Sequence, residues 1–463
     1  MSDWSLPALL IAWLVATGVV FAVYRLLRLP TSGLVFAYIA SLALIHWTGA
    51  MLYALPWYGG PQSEQVYSGF RQATYGLLSL VVGVVACLAV TRPSKTRRPK
   101  PPETTSTLPW AYVVIGITSY LVLIPLLGSV PTLSAVLVAA WNLFAIGIAL
   151  QCRRASEQRR WTALVSWLAV VFLTPALTIV TQGFLGFGVQ VLIVVIVFLA
   201  TTTTRRWRWM IASLLLVYPA LSFYVAYMAQ RDVLRQSVWG GDPMTRRIVR
   251  LYDTVRSVEP FDITNAAHLQ PIDGRLNQNQ LVGACVEYLD NRAHPYADGE
   301  TLWYGIVALV PRIMWAEKPV VAGSMGLVSK YTGLTFGAGT SVGIGQVMEF
   351  YMNFGTPGVV IGFLLFGIVV AAFDRAAGSR LQAGDVAGFA ARFLPGMALL
   401  QAGGSMVEIT SSIAAGAVTA YIVNTHVLPA LGVPTGGHPA RRRQPYRTPA
   451  AVAFPGPKRG ALR

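Results

Sequence analysis

Long apolar runs separated by short polar gaps set the pattern of this chain. A helix needs roughly 20 mostly apolar residues to cross a bilayer. Such runs fall at about Leu6–Tyr24, Gly33–Leu55, Tyr75–Val90, Leu108–Leu127, Val130–Leu150, Trp161–Thr181, Phe184–Ala200 and Met210–Ala229. A polar region, 230–340, follows, and apolar runs resume at Val342–Phe373. The last stretch, Phe393–Leu431, is too long for one span and is interrupted by Ala402-Gly403-Gly404-Ser405, so it predicts two helices. The pattern predicts an all-α, polytopic membrane protein with about eleven transmembrane helices. It divides into an N-terminal bundle of eight helices (1–229), a large loop (230–340), C-terminal membrane helices (341–431) and a basic tail (432–463). The tail is rich in Pro and Gly and predicts no fixed fold.

The loop reads as structured. Its amphipathic piece Thr245–Val258 alternates with turn-rich pieces such as 293–299, and Leu302–Trp315 is apolar but too short to span, which predicts an interfacial or re-entrant segment. A long loop with structure of its own is usually functional. No internal repeat or inverted half is evident, which argues against the architecture of a secondary transporter.

Composition agrees, with 54% of residues hydrophobic and only 12% charged, about half the charged share of a soluble domain. The net charge of +17 would suggest nucleic acid if it lay on one face, but its distribution excludes that reading. Residues 231–330 hold 11 acidic and 11 basic side chains, and the remainder holds 25 basic against 8 acidic. The surplus sits in alternate gaps, at Arg25 and Arg28, at Arg92 to Lys100, at Arg153 to Arg160 and at Arg205 to Arg208, with Arg71 the exception. By the positive-inside rule the basic gaps and the tail face the cytoplasm, and the N-terminus and the loop face outside. The three cysteines, Cys87, Cys152 and Cys285, lack metal-binding spacing, and no Walker A, HExxH or dinucleotide motif is present. The start lacks the basic residues and cleavage site of a signal peptide.

Three places could carry chemistry. In Val310–Pro319, two prolines bracket Arg312, Trp315 and Lys318. Proline stiffens the chain and Trp favours headgroup depth, so the segment reads either as a turn presenting cations to a lipid phosphate or as a plain interfacial anchor. Upstream, Arg275, Glu287, Asp290, Arg292 and His294 lie among amides and the aromatic residues Tyr288, Tyr296, Trp303 and Tyr304. Such groups bind sugar hydroxyls, and Glu287, Asp290 and His294 are candidate general bases; the alternative is a solvated charged face. Glu349 stands where the chain re-enters the membrane, and a carboxylate there is either functional or paired to hold helices together.

The order of about eight helices, an outer loop, a Pro-Arg-x-x-Trp-x-x-Lys-Pro turn (Pro311–Pro319) and the helix opening Met348-Glu349-Phe350-Tyr351-Met352-Asn353-Phe354-Gly355-Thr356-Pro357-Gly358 resembles bacterial O-antigen and exopolysaccharide repeat-unit polymerases of the Wzy type. The motif-bearing part covers about Tyr296–Phe373, and the rest is similar in hydropathy alone. The resemblance implies a GT-C-like glycosyltransferase of the inner membrane, independent of metal and cofactor. Its substrate would be an undecaprenyl-diphosphate-linked oligosaccharide, with membrane lipid and a chain-length regulator as further partners. Arg312 and Lys318, with Arg275 or Arg292, would hold the diphosphate, with Trp315, Tyr351 and Tyr296 also against substrate. Glu349, or one of Glu287, Asp290 and His294, would orient or deprotonate the acceptor hydroxyl. An O-antigen ligase-type transferase, a lipid-linked oligosaccharide flippase and a structural partner without activity are the alternatives.

Overall fold

The structure is a computed structural model that describes residues 4–60, 62–90, 107–203, 206–290, 294–310, 314–315, 317, 324–337 and 342–434. Among them every regular element is helical. In chain order these are α1 (Leu6–Leu27), α2 (Leu34–Ile45), α3 (Trp47–Tyr53), α4 (Ser63–Val90), α5 (Leu108–Thr118), α6 (Ile124–Leu127), α7 (Pro131–Glu157), α8 (Trp161–Gln182), α9 (Gly186–Thr202) and α10 (Arg206–Trp239). There follow α11 (Met244–Arg256), α12 (Ala266–Leu276), α13 (Asn279–Asp290), α14 (Glu300–Ala308), α15 (Ser324–Thr332), α16 (Gln346–Gln382), α17 (Val386–Ala398), α18 (Met406–Ile422) and α19 (Leu428–Ala430). Short π-helical turns join α5 to α6 and α18 to α19.

Among the described residues, nine helical stretches are long and apolar enough to cross a bilayer, and α9 and α17 are shorter apolar helices. Leu14, Leu173, Leu214 and Leu215 stand more than half exposed on such stretches. An outer surface this apolar needs lipid to cover it. The chain is a polytopic, all-helical membrane protein. The final apolar stretch does break in two, between α17 and α18, with Ser405 capping α18 in a reciprocal pair with Glu408.

Two boundaries depart from the hydropathy pattern by ten residues or more. Helix α4 begins at Ser63, twelve residues before the apolar run, because Ser63-Glu64-Gln65 are compatible with helix and the whole segment packs on α13. Helix α10 continues to Trp239, ten residues past the apolar run, because no breaker intervenes before Gly240-Gly241. The region 230–340 is therefore not a separate loop domain at its start. Its core is also continuous with that of the membrane helices: Val282, Cys285, Leu289, Val328 and Tyr331 belong to the same buried cluster as Phe70, Leu77 and Phe363.

The helix ends sort into two sets. On one side the start of α1 meets α4, and the polar segments meet the end of α3 and the start of α4. Tyr67 Oη donates to the Trp4 carbonyl at 2.6 Å, Tyr53 and Tyr58 donate to Asp273 at 3.0 and 2.6 Å, and Gln65 Nε2 donates to Glu287 at 2.9 Å. At the other end Asp374 of α16 is fully buried and binds the turn between α1 and α2. Its carboxylate accepts from Tyr24 Oη (2.8 Å), Thr31 Oγ1 (3.1 Å), Ser32 N and Oγ (3.0 and 2.9 Å) and Leu34 N (2.8 Å). The basic residues Arg25 and Arg28 close α1 beside this anchor, opposite the polar segments.

Two close approaches set the position of the polar segments. A side chain at Gly69 would strike the Asn279 carbonyl, and one at Gly283 would strike the Gln65 carbonyl. Helices α4 and α13 thus pack backbone to backbone, the contact that small residues permit. Helix α16 lies along α4 as well, more extensively than along any other element.

Candidate functional site

Helix α16 is broken near its start. Phe354 (φ −144°, ψ 20°) and Gly355 (φ 63°, ψ −153°) leave helical geometry, and the helix resumes through Pro357. Gly355 occupies a region essentially closed to residues with a Cβ. Pro357 has no N–H to give, so it suits the first turn of the resumed helix. The break splits α16 into a short head, Gln346–Asn353, and a long apolar shaft.

Around the break lies an open cleft of about 410 Å³, within the size range of small-molecule sites. Arg71 and Gln72 of α4, Asp290 at the end of α13, Tyr296 and Asp298, and Tyr351 and Asn353 to Pro357 of α16 line it. The backbone approach of Gly69 to α13 brings Asp290 to the same place as Arg71. Tyr351 Oη donates to Asp290 Oδ1 at 2.8 Å, and Gln72 Nε2 donates to Thr356 Oγ1 at 3.0 Å. Asn353 ties the segment Ala297–Thr301 to the break. Its Oδ1 accepts from Gly299 N at 2.9 Å, and its Nδ2 donates to Thr301 Oγ1 and to the Glu349 carbonyl, both at 2.7 Å. The Tyr296 and Tyr351 rings stand 6.4 Å apart, and Phe354 is half exposed.

The cleft therefore combines aromatic rings, amides, two carboxylates, a guanidinium and the N-terminus of a helix, beside an apolar shaft. Amides and carboxylates suit hydroxyl groups, whereas a guanidinium and a helix N-terminus suit an anion.

Of the residues singled out from sequence, the structure brings Asp290, Tyr296 and Tyr351 together in the cleft. Glu349 does not line it. Its side chain is fully buried, and Oε2 accepts from Met406 N–H at 2.7 Å. A carboxylate at the first N–H of α18 complements that helix's dipole. Glu287 is exposed and bound by Gln65, and His294 stacks on Tyr288 with centroids 3.9 Å apart; neither lines the cleft. Arg275 is exposed on α12, close enough to Arg231 of α10 for their charges to interact. Trp315 is 40% exposed and also outside the cleft lining. Arg292, Arg312 and Lys318 lie outside the described residues, as does the tail from 435. Among the described residues no group of three His, Cys, Asp or Glu side chains converges as metal ligands do.

Sequence reasoning did not single out Arg71, Gln72, Asp298, Asn353 or Phe354 as site residues. Arg71 did leave a trace, as the lone cation in a series of gaps otherwise free of Lys and Arg. Asn353 and Phe354 lie in the Met348–Gly358 motif, but nothing in their local pattern says that the helix breaks there.

No curated protein and no solved structure matches the chain. A family model does, over residues 19–430, a range that takes in every described helix from the second half of α1 to α19. The chain belongs to the family described as Domain of unknown function (DUF8712).

Proposed function

We propose that this chain is a membrane glycosyltransferase that polymerises lipid-linked oligosaccharide repeat units into a surface polysaccharide. The carrying observation is the cleft at the break in α16, where Asp290, held by Tyr351, faces the same space as Arg71, Tyr296 and Asn353 beside an apolar helix. In this reading the protein crosses a bacterial inner membrane eleven times. The cleft side is extracytoplasmic, and the Asp374 side and the tail are cytoplasmic, as the charge alternation requires.

The reaction is a substitution at an anomeric carbon. A hydroxyl of the incoming repeat forms the new C–O bond, the bond from that carbon to the diphosphate breaks, and undecaprenyl diphosphate leaves with the electron pair. The hydroxyl proton passes to Asp290, whose orientation Tyr351 sets. Arg71 and the N-terminus of the shaft stabilise the charge that develops on the leaving diphosphate. Tyr296, Asn353, Asp298 and Phe354 hold the sugar rings, and the lipid tail lies along apolar helix surface. Arg312 and Lys318 add charge to the diphosphate as the sequence resemblance implies.

The test is the lipid-linked glycan in cells that carry variants in place of the wild-type protein. Asp290→Asn and Arg312→Ala should each leave single repeats unpolymerised on the carrier at the outer leaflet. Single repeats confined to the cytoplasmic leaflet would identify a flippase. Full-length polymer that is not passed to its final acceptor would identify a ligase. Unchanged glycan length in both variants would overturn the reading.

A further inference from the structure

Helix α11 carries an apolar flank that no other described element covers. Met244, Ile248, Tyr252 and Val255 recur at helical spacing and are 49%, 53%, 57% and 50% exposed, with Val249 beside them at 56%. A second flank is protein-facing: Leu251 is buried with Ile179, Val180, Tyr227 and Leu234 of α8 and α10. The third flank is charged and turned to water. Arg246 and Arg250 reach Asp242 at 2.6 and 3.4 Å, and Asp253 is exposed nearby. A surface helix of a soluble protein has one apolar face, towards its core. A helix with a protein-facing flank, a bare apolar flank and a charged flank fits the boundary between protein, lipid and water.

The height of α11 is set by its neighbours. Residues 240–243 are all that separate it from α10, one of the stretches long and apolar enough to cross a membrane. Trp239 at the end of α10 is 57% exposed and its ring lies 5.9 Å from Phe184, beside the start of α9. Aromatic residues collect at headgroup depth. On α11 itself Arg256 sits 5.3 Å from the Tyr252 ring, the pairing expected where a cation reaches out of an apolar layer towards phosphates.

We propose that α11 is an interfacial helix whose apolar flank docks on the lipid surface of the membrane, with the flank in the upper acyl region and Arg256 among the phosphate headgroups. It holds the polar segments at a fixed height above the bilayer, on the side of the molecule where α8 and α10 end. This rests on the membrane-spanning fold and not on the enzymatic reading.

The test uses the full chain in vesicles of phosphatidylcholine and phosphatidylglycerol. A nitroxide is attached at Ile248→Cys, at Tyr252→Cys or at Asp253→Cys in a Cys87→Ser background, where the remaining two thiols are buried. Labels at 248 and 252 should collide several-fold more often with dissolved oxygen than with a water-soluble nickel chelate, and the label at 253 should show the reverse. The proposal is overturned if labels at 248 and 252 meet the nickel chelate as freely as the one at 253, which would mean water. It is equally overturned if they are shielded from both reagents, which would mean a protein partner or a second copy of the chain.

Discussion

At the scale of single residues, two buried carboxylates and an exposed one play different parts, and only their surroundings separate them. Asp374 is an anchor with five donors around one carboxylate. Asp374→Ala strands those donors in the interior, where each unmade bond costs on the order of 1–3 kcal/mol, so the protein in detergent should melt well below wild type. Glu349 joins α16 to α18, and Asp290 faces the cleft. In the proposed polymerase Glu349→Gln, which keeps an acceptor for Met406 N–H, should retain most activity, whereas Asp290→Asn should lose it at unchanged melting temperature. Measuring glycan length and thermal stability on both variants separates the two roles. From sequence all three are carboxylates near apolar runs. Glu349 drew attention because it sits within a span, yet burial and a helix N-terminus explain its contacts. Asp374 did not, because its partners Tyr24, Thr31 and Ser32 are more than 300 positions away along the chain.

At the scale of elements, hydropathy located the helices well and their ends poorly. Apolar runs mark the stretches suited to lipid, and α4 and α10 run on as helices beyond them. The break in α16 was also invisible, since Gly355 and Pro357 sit in a run that is otherwise helical in pattern. Because φ at Gly355 is 63°, Gly355→Ala should resist the break at a cost of about 1–3 kcal/mol. The expected outcome is a narrowed cleft and a large drop in polymer length with modest loss of stability. A second expectation concerns α11. Ser237 Oγ–H and then Arg246 hold the Asp242 carboxyl below the usual carboxylate range. A depressed acid stabilises the fold fully above its ordinary value, and that contribution fades as pH falls through the lowered one. Protection of the α11 amides from exchange, taken relative to the intrinsic rate at each pH, should therefore fall on going from about pH 5 to about pH 3, and Asp242→Asn should remove most of that pH dependence.

At the scale of the whole molecule, charge alternation predicts which helix ends share a side, and the contacts of Asp374 and Asp273 put the end of α1, with Arg25 and Arg28, away from the polar segments. Thr264→Cys, exposed among the polar segments, should react with an impermeant maleimide in intact cells, and Glu157→Cys at the end of α7 should react only after permeabilisation. The reverse result would invert the orientation and with it the proposed donor. What sequence could not supply is the meeting of distant segments, because Arg71, Asp290 and Tyr351 converge only through the backbone contact of α4 with α13 and the packing of α16 on α4. The grip of Asp374 on the opposite turn carries one more consequence. With its far end bolted to α1 and α2, and its head moored through Gln346 to the Gln401 and Gly404 carbonyls and through Glu349 to Met406 N–H, α16 is held at both ends, so the kink at Gly355 is clamped from either side and the cleft wall it forms is a rigid one.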